Sequence, residues 1–230
     1  MPQKKILLGL TTTPGSDWRE KIKEIDKFNI KELALFPTFL KNEERKELYN
    51  LLEKTGIESI PHVHLRPDDM PVDELNYFVS KFKTAVFNIH SPKEFPVNYD
   101  YSKYKNIIYL ENTDFVPISD EISSLGNGLC IDFSHWENGI KKNNKKYADF
   151  EKLIQKYPIG CCHISGVSKE LFPYTYCEPS YDIHTLNDLK ELNYIKKYLK
   201  YMPDIISIEL ENSFEEQLKI KEYLEKIINE

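Results

Sequence analysis

The stretch "GLCIDFSHWENG", residues 128–139, opens like a buried strand and then changes character. Leu129, Cys130 and Ile131 are apolar; Asp132 and His135 follow, three residues apart, where the chain leaves the interior. A short apolar run ending in polar residues is half of a repeating unit that recurs along the chain. The other runs are "ILLGLT" from Ile6, "ELALF" from Glu32, "IESIPHVH" from Ile57, "AVFNIH" from Ala85, "IIYLE" from Ile107, "IGCCHIS" from Ile159 and "IISIELE" from Ile205. Between the runs, apolar residues fall at helical spacing over 17–28, 42–55, 73–82, 117–125, 147–157, 187–201 and 214–229. Asn42 is read as an N-cap and Gly56 as the residue just past that helix.

Strands alternating with helices predict a parallel sheet, and eight such units predict a closed (β/α)8 barrel, the TIM barrel of the α/β class, as one domain over 1–230. An open doubly wound sheet is disfavoured because no glycine-rich phosphate loop follows the first strand. With 230 residues, 40% hydrophobic and 30% charged, the chain is long enough to bury a core without staples. Cys130, Cys161, Cys162 and Cys177 have no C-x-x-C spacing, which argues against a disulfide framework or zinc ribbon and for reduced thiols. The N-terminal apolar run is too short for a signal peptide or a membrane span, so a cytoplasmic protein with no membrane partner is expected. A net charge of −6 gives no general attraction to nucleic acid, and "KKNNKK" at 141–146 is read as a solvated lysine run opening a helix.

In such a barrel, chemistry sits at the C-terminal ends of the strands. Those ends carry His62 and His64, His90, Glu111, Asp132 with His135, His163, and Glu209 or Glu211; Asp182 and His184 form a D-x-H pair in the loop after the seventh strand. All six histidines of the protein are among them. Strand alternation puts Gly128, Cys130 and Asp132 on one face, then Ile159, Cys161 and His163, then Ile205, Ser207 and Glu209. A carboxylate aimed into a barrel mouth needs a partner or a metal, because burying it alone is prohibitive. A mixed imidazole and carboxylate set suits Zn²⁺, Mn²⁺ or Fe²⁺. Trp18, Phe36, Trp136, Phe172, Tyr174 and Tyr176 lie near the mouth-side loops, as a stacking surface or as loop packing.

These residues resemble the xylose-isomerase-like TIM-barrel superfamily (AP endonuclease family 2), which includes sugar isomerases, epimerases and the endonuclease IV group. The resemblance implies one ion held by Glu111 of "YLENT", Asp132 of "CIDFSHW", His163 of "CCHIS" and Glu209 of "SIELEN". "LENT", "CIDFSH" and "HISGVSK" are similar to the endonuclease IV branch in particular. That branch implies further ligands here: His62 and His90 with Glu111, and His135 with Asp182 and His184, for one to three ions of zinc or manganese. "DFVPIS" replaces a glycine-rich run, and "VHLR" follows His62 where a DNA-gripping aromatic is expected, so a small sugar or phosphoester is the expected substrate ahead of DNA.

The first functional expectation is therefore a metal-dependent phosphoester hydrolase, with Glu111 as the bridging carboxylate and no Ser or Cys nucleophile required. The second is a one-metal sugar or sugar-phosphate isomerase or epimerase, with Glu111 and Glu209 as the proton-transfer pair. In either, His64 and Trp136 are expected to contact substrate. A barrel that only binds a metal or sugar is the third class, and nothing in the sequence favours it.

Overall fold

Every one of the eight apolar runs forms a strand in the computed structural model, which describes residues 4–173 and 179–229. The strands are β1 (Lys5–Thr11), β2 (Glu32–Phe36), β3 (Ser59–His64), β4 (Val86–Ile89), β5 (Ile108–Glu111), β6 (Gly128–Asp132), β7 (Ile159–Ile164), then β8 (Gly166–Phe172), β9 (Ser180–Ile183) and β10 (Ile205–Ile208). They pair in the order β1-β10-β7-β6-β5-β4-β3-β2, closing a parallel barrel, while β8 and β9 form a separate antiparallel pair. The expected (β/α)8 barrel is present. The β8–β9 ribbon was not expected; it occupies the loop read from sequence as the carrier of the D-x-H pair. Tyr174, Tyr176 and Cys177 lie outside the described residues.

Helices α1 (Trp18–Lys27), α2 (Asn42–Leu52), α3 (Val72–Phe82), α4 (Ser119–Leu125), α5 (Phe133–Lys141), α6 (Phe150–Lys156) and α7 (Phe214–Asn229) surround the sheet. Their starts are chemically marked. Asp17 accepts from the Glu20 N–H, and Ser213 and Glu216 satisfy each other's backbone N–H groups ahead of α7. Lys41, not Asn42, precedes α2, and Glu44 reaches back to its N–H, so Asn42 is already helical. "KKNNKK" does not open a helix: Lys141 ends α5 and Lys145–Tyr147 is a single 3-10 turn. Residues 187–201 are 3-10 helix, Leu189–Lys197 and Leu199–Tyr201, instead of the expected α-helix. Leu192, Ile195 and Tyr198 are buried at intervals of three, the repeat at which 3-10 side chains eclipse.

Strand alternation divides the apolar residues. Leu8, Leu10, Leu33, Leu35, Ile60, Phe87, Leu110, Ile131 and Ile206 point outward into the main core under the helices. The inward face carries smaller clusters, Leu7, Ala34 and Phe36, and then Val86, Cys130 and Cys161. The seam between β1 and β10 is closed by Gln217 of α7, whose side chain accepts from Gly9 N–H (2.7 Å) and donates to Gly9 O (3.0 Å) and Leu210 O (3.1 Å). Position 9 must be glycine there, because a Cβ would stand 1.8 Å from Ile208 O. Lys21 of α1 ties the same seam through Thr11 Oγ1 and Leu210 O, and burial pushes its ammonium down to about 7. Among the described residues no helix is long and apolar enough to cross a membrane.

Candidate metal centre

Asp132 ends β6 and caps α5, which begins at the next residue. Its Oδ1 accepts from His135 N–H at 2.8 Å and from Ser134 Oγ at 2.5 Å, and Ser165 Oγ in turn donates to Ser134 Oγ at 2.7 Å. Asn112 clamps the Asp132 backbone from the neighbouring strand end, accepting its N–H at 3.0 Å and donating to its carbonyl at 2.8 Å. One carboxylate oxygen is thus used for capping. The other, Oδ2, faces the barrel axis, 3.8 Å from His163 Nδ1 and 3.9 Å from His135 Nε2, and has no hydrogen-bond partner. A strand ending in Asp-x-x-His gives one residue two duties: start a helix and present a free oxygen to the mouth.

Sheet register assembles the rest. Cys130 lies opposite Glu111, Asp132 opposite His163, and His163 opposite Ser207, two residues before Glu209. Donor atoms of Glu111, Asp132, His163 and Glu209 consequently fall within 4.8 Å of one another. A second group within the same limit is His64, His90 and Glu111. Glu111 belongs to both groups and divides its oxygens between them. Oε2 is 3.0 Å from His64 Nε2 and 3.6 Å from His90 Nε2, whereas Oε1 is 3.4 Å from His163 Nδ1.

The sequence reading put His62 beside His90 and gave His64 to substrate. The structure brings His64 to His90, their Nε2 atoms 3.0 Å apart, and sets His62 one inward step deeper. His62 Nε2 lies 2.9 Å from Asn88 Oδ1, an acceptor, so it carries the proton; Nδ1 then accepts from Ser207 Oγ at 2.7 Å. Both ring nitrogens of His62 thus already have protein partners. Asn88 passes the chain on, donating to Glu111 Oε2 at 2.5 Å. Both histidines have the same strand parity, so alternation alone could not rank them.

The third expected set is only partly gathered. His135 Nδ1 is 3.3 Å from Asp182 Oδ2, but His184 points Nδ1 toward Glu209 O at 3.2 Å, and no grouping among the described residues joins the three at ligand distance. Glu211 is engaged elsewhere, accepting from Thr13 Oγ1 at 2.6 Å and Thr185 Oγ1 at 2.8 Å. Trp136 does not reach the mouth. It is buried on the helical side against Phe133, Phe150 and Tyr198, because α5 turns it away from His135. Trp18 is also buried, Phe36 packs edge-on against His163 inside the barrel (5.0 Å between ring centres), and Phe172 is exposed on β8. Cys130 was missed as a neighbour of the centre: its thiol groups with Glu111 and His163, and with His62 and Cys161.

The electrostatics suit a cation. Burial opposes charge on His163, yet Glu111 and Glu209 outweigh it and hold the imidazole protonated well above its usual range. Burial is likewise overcome at His135, which Asp132 and Asp182 raise to about 10, and at Glu209, which His163 holds down to about 2. Burial dominates at two groups: it raises Asp132, and it lowers His90 to about 4, leaving that ring neutral. Both His163 nitrogens are buried without a properly directed hydrogen bond, as is Asp132 Oδ2. Unpartnered buried polar atoms on the Asp132 carboxylate and the His163 imidazole are costly as they stand. Asp132 Oδ2 and His163 Nδ1, with Glu111 and Glu209 beside them, form a group of oxygen and nitrogen donors that could hold a divalent ion.

No family model matches this chain, and no curated protein matches it in sequence. Among solved structures it is similar to the probable 3-DHS dehydratase AsbF involved in petrobactin synthesis from Bacillus anthracis, at 13% identity over 99% of each chain with a TM-score of 0.48. The barrel assignment rests on the closed sheet itself, not on this likeness.

Proposed function

We propose that this chain is a metal-dependent phosphoester hydrolase with a centre of at least two divalent ions, zinc or manganese, sharing Glu111. The supporting observation is the division of Glu111 between two donor groups, with a different oxygen facing each. His64, His90 and Glu111 are the ligands of one ion; Glu111, Asp132, His163 and Glu209 are those of the other. A one-ion isomerase uses only the second set and leaves His64 and His90 without a role at the same carboxylate. Bound ions supply Lewis acidity and neutralise charge on phosphoryl oxygens. The chain does the rest. His135, which Asp132 and Asp182 keep protonated in the metal-free protein, stands at the mouth where an anionic substrate would enter. Ser134, Ser165 and Asn112 lock the Asp132 carboxylate so that Oδ2 stays aimed inward. Burial of Glu111, Asp132 and His163, with Glu209 half-buried beside them, limits bulk water and strengthens each charge interaction.

The test is turnover of small phosphomonoesters and phosphodiesters beside aldose–ketose interconversion, using zinc- or manganese-loaded protein. Phosphoester cleavage that a chelator removes and metal restores supports the reading. Isomerisation without cleavage replaces it with the isomerase. Glu209→Gln should weaken the ion shared with Asp132 and His163 by roughly 100-fold, by analogy with the 10–100-fold cost of disturbing metal-site partners. Glu211→Gln should leave both ions bound and cost roughly 1 kcal/mol or less of stability, since an amide oxygen still accepts from one threonine. Equilibrium dialysis against each metal separates the two.

A further inference from the structure

We propose that Glu94 is a positioning residue that orients His90 as a ligand of the ion it shares with His64 and Glu111; the inference rests on the two-ion reading above. His90 follows β4 directly, and the chain then turns back, with Glu94 N–H and Phe95 N–H both donating to Ser91 O, at 2.9 and 3.1 Å. That turn brings Glu94 Oε2 to 3.5 Å from His90 Nδ1. The same oxygen accepts from Thr113 Oγ1 at 2.6 Å, so a residue just after β5 fixes the carboxylate from the other side. Phe95 packs on the His90 ring, with centres 5.3 Å apart. The imidazole is therefore held between two different environments. Nε2 faces His64 Nε2 at 3.0 Å and Glu111 Oε2 at 3.6 Å, while Nδ1 faces Glu94.

A ligating imidazole needs its proton on the nitrogen away from the ion, and a carboxylate beside that nitrogen fixes the tautomer and raises the basicity of the other. Glu94 is placed to do this for His90. Neither hydrophobic periodicity nor strand parity points to it, because it lies in an irregular turn four residues past the strand end.

The experiment compares wild-type, Glu94→Gln and Glu94→Ala proteins, each stripped of metal and titrated calorimetrically with Co²⁺ and Zn²⁺. Two binding steps are expected in the wild type. In both variants one step should weaken by about 10–100-fold, the range for losing such a partner, while the other holds. Thr113→Val should weaken the same step by a smaller factor. In zinc-loaded wild-type protein the ¹⁵N shifts of the His90 ring should report a ligated Nε2 and an Nδ1–H beside a carboxylate, and the Nδ1 signal should move in Glu94→Ala. Unchanged thermal melting of metal-free Glu94→Gln excludes a general loss of structure. Variants that bind both ions as the wild type does, or that weaken both equally, overturn the assignment of Glu94 alone. A wild type that takes up a single ion defeats the two-ion reading first, and this inference with it.

Discussion

Glu111→Gln is expected to strip the centre more completely than any other single substitution. Glu111 is the one residue common to the His64–His90 group and to the Asp132–His163–Glu209 group. The change is nearly isosteric, and the amide can still accept from Asn88 Nδ2 through its remaining oxygen, so the barrel should fold and melt much as before. What disappears is the charge and the second ligating oxygen. On the two-ion proposal, each ion would lose an anionic ligand and the pair would lose the residue they share. The catalytic contribution of such ions is several kcal/mol, so hydrolysis should fall by on the order of 1,000-fold or more. Elemental analysis beside circular dichroism and a phosphoester assay checks this. A variant that keeps both ions and most of its activity would remove Glu111 from the centre.

Lowering the pH should release the two ions unequally. In the metal-free protein Glu111 and Glu209, against the opposing effect of burial, keep His163 protonated well above its usual range. An ion entering beside Asp132 must displace that proton, so its affinity should drop about tenfold for each pH unit below neutrality, or about 100-fold from pH 7 to pH 5. His90 behaves oppositely, because burial lowers it to about 4 and it is already neutral across that range. The ion at His64 and His90 therefore has no proton to displace from His90, and its affinity should decline less steeply. Metal titrations at pH 5, 6 and 7 read the two slopes. Equal slopes would contradict the division of roles between His163 and His90.

The barrel was legible because eight short apolar runs alternate with seven segments of helical spacing, and a closed sheet is the architecture that hides them all. The inward face was legible in β6, β7 and the strand before Glu209 for the same reason: Cys130 and Asp132, Cys161 and His163, Ser207 and Glu209 share a parity. Depth along the axis was not. His62 and His64 share a parity as well, and what separates them is where β3 meets β4 and which partner, Asn88 or His90, each then faces. The β8–β9 ribbon was missed because "GVSKELF" has four of its seven residues exposed and carries little apolar alternation. Trp136 was misplaced because a helix begins immediately at Phe133, and a helical turn sends positions 135 and 136 to different sides. The roles of Asn112 and Thr113 depend on contacts between segments that follow different strands, which no local pattern encodes.

The central claim is that two ions share Glu111. The most direct measurement is the number of metal ions per chain, by elemental analysis, after saturation with zinc or manganese and removal of free metal. The account predicts two or more in the wild type, with one retained when His64 and His90 are both replaced by alanine. A single ion in fully saturated wild-type protein, unaffected by those two replacements, would contradict it.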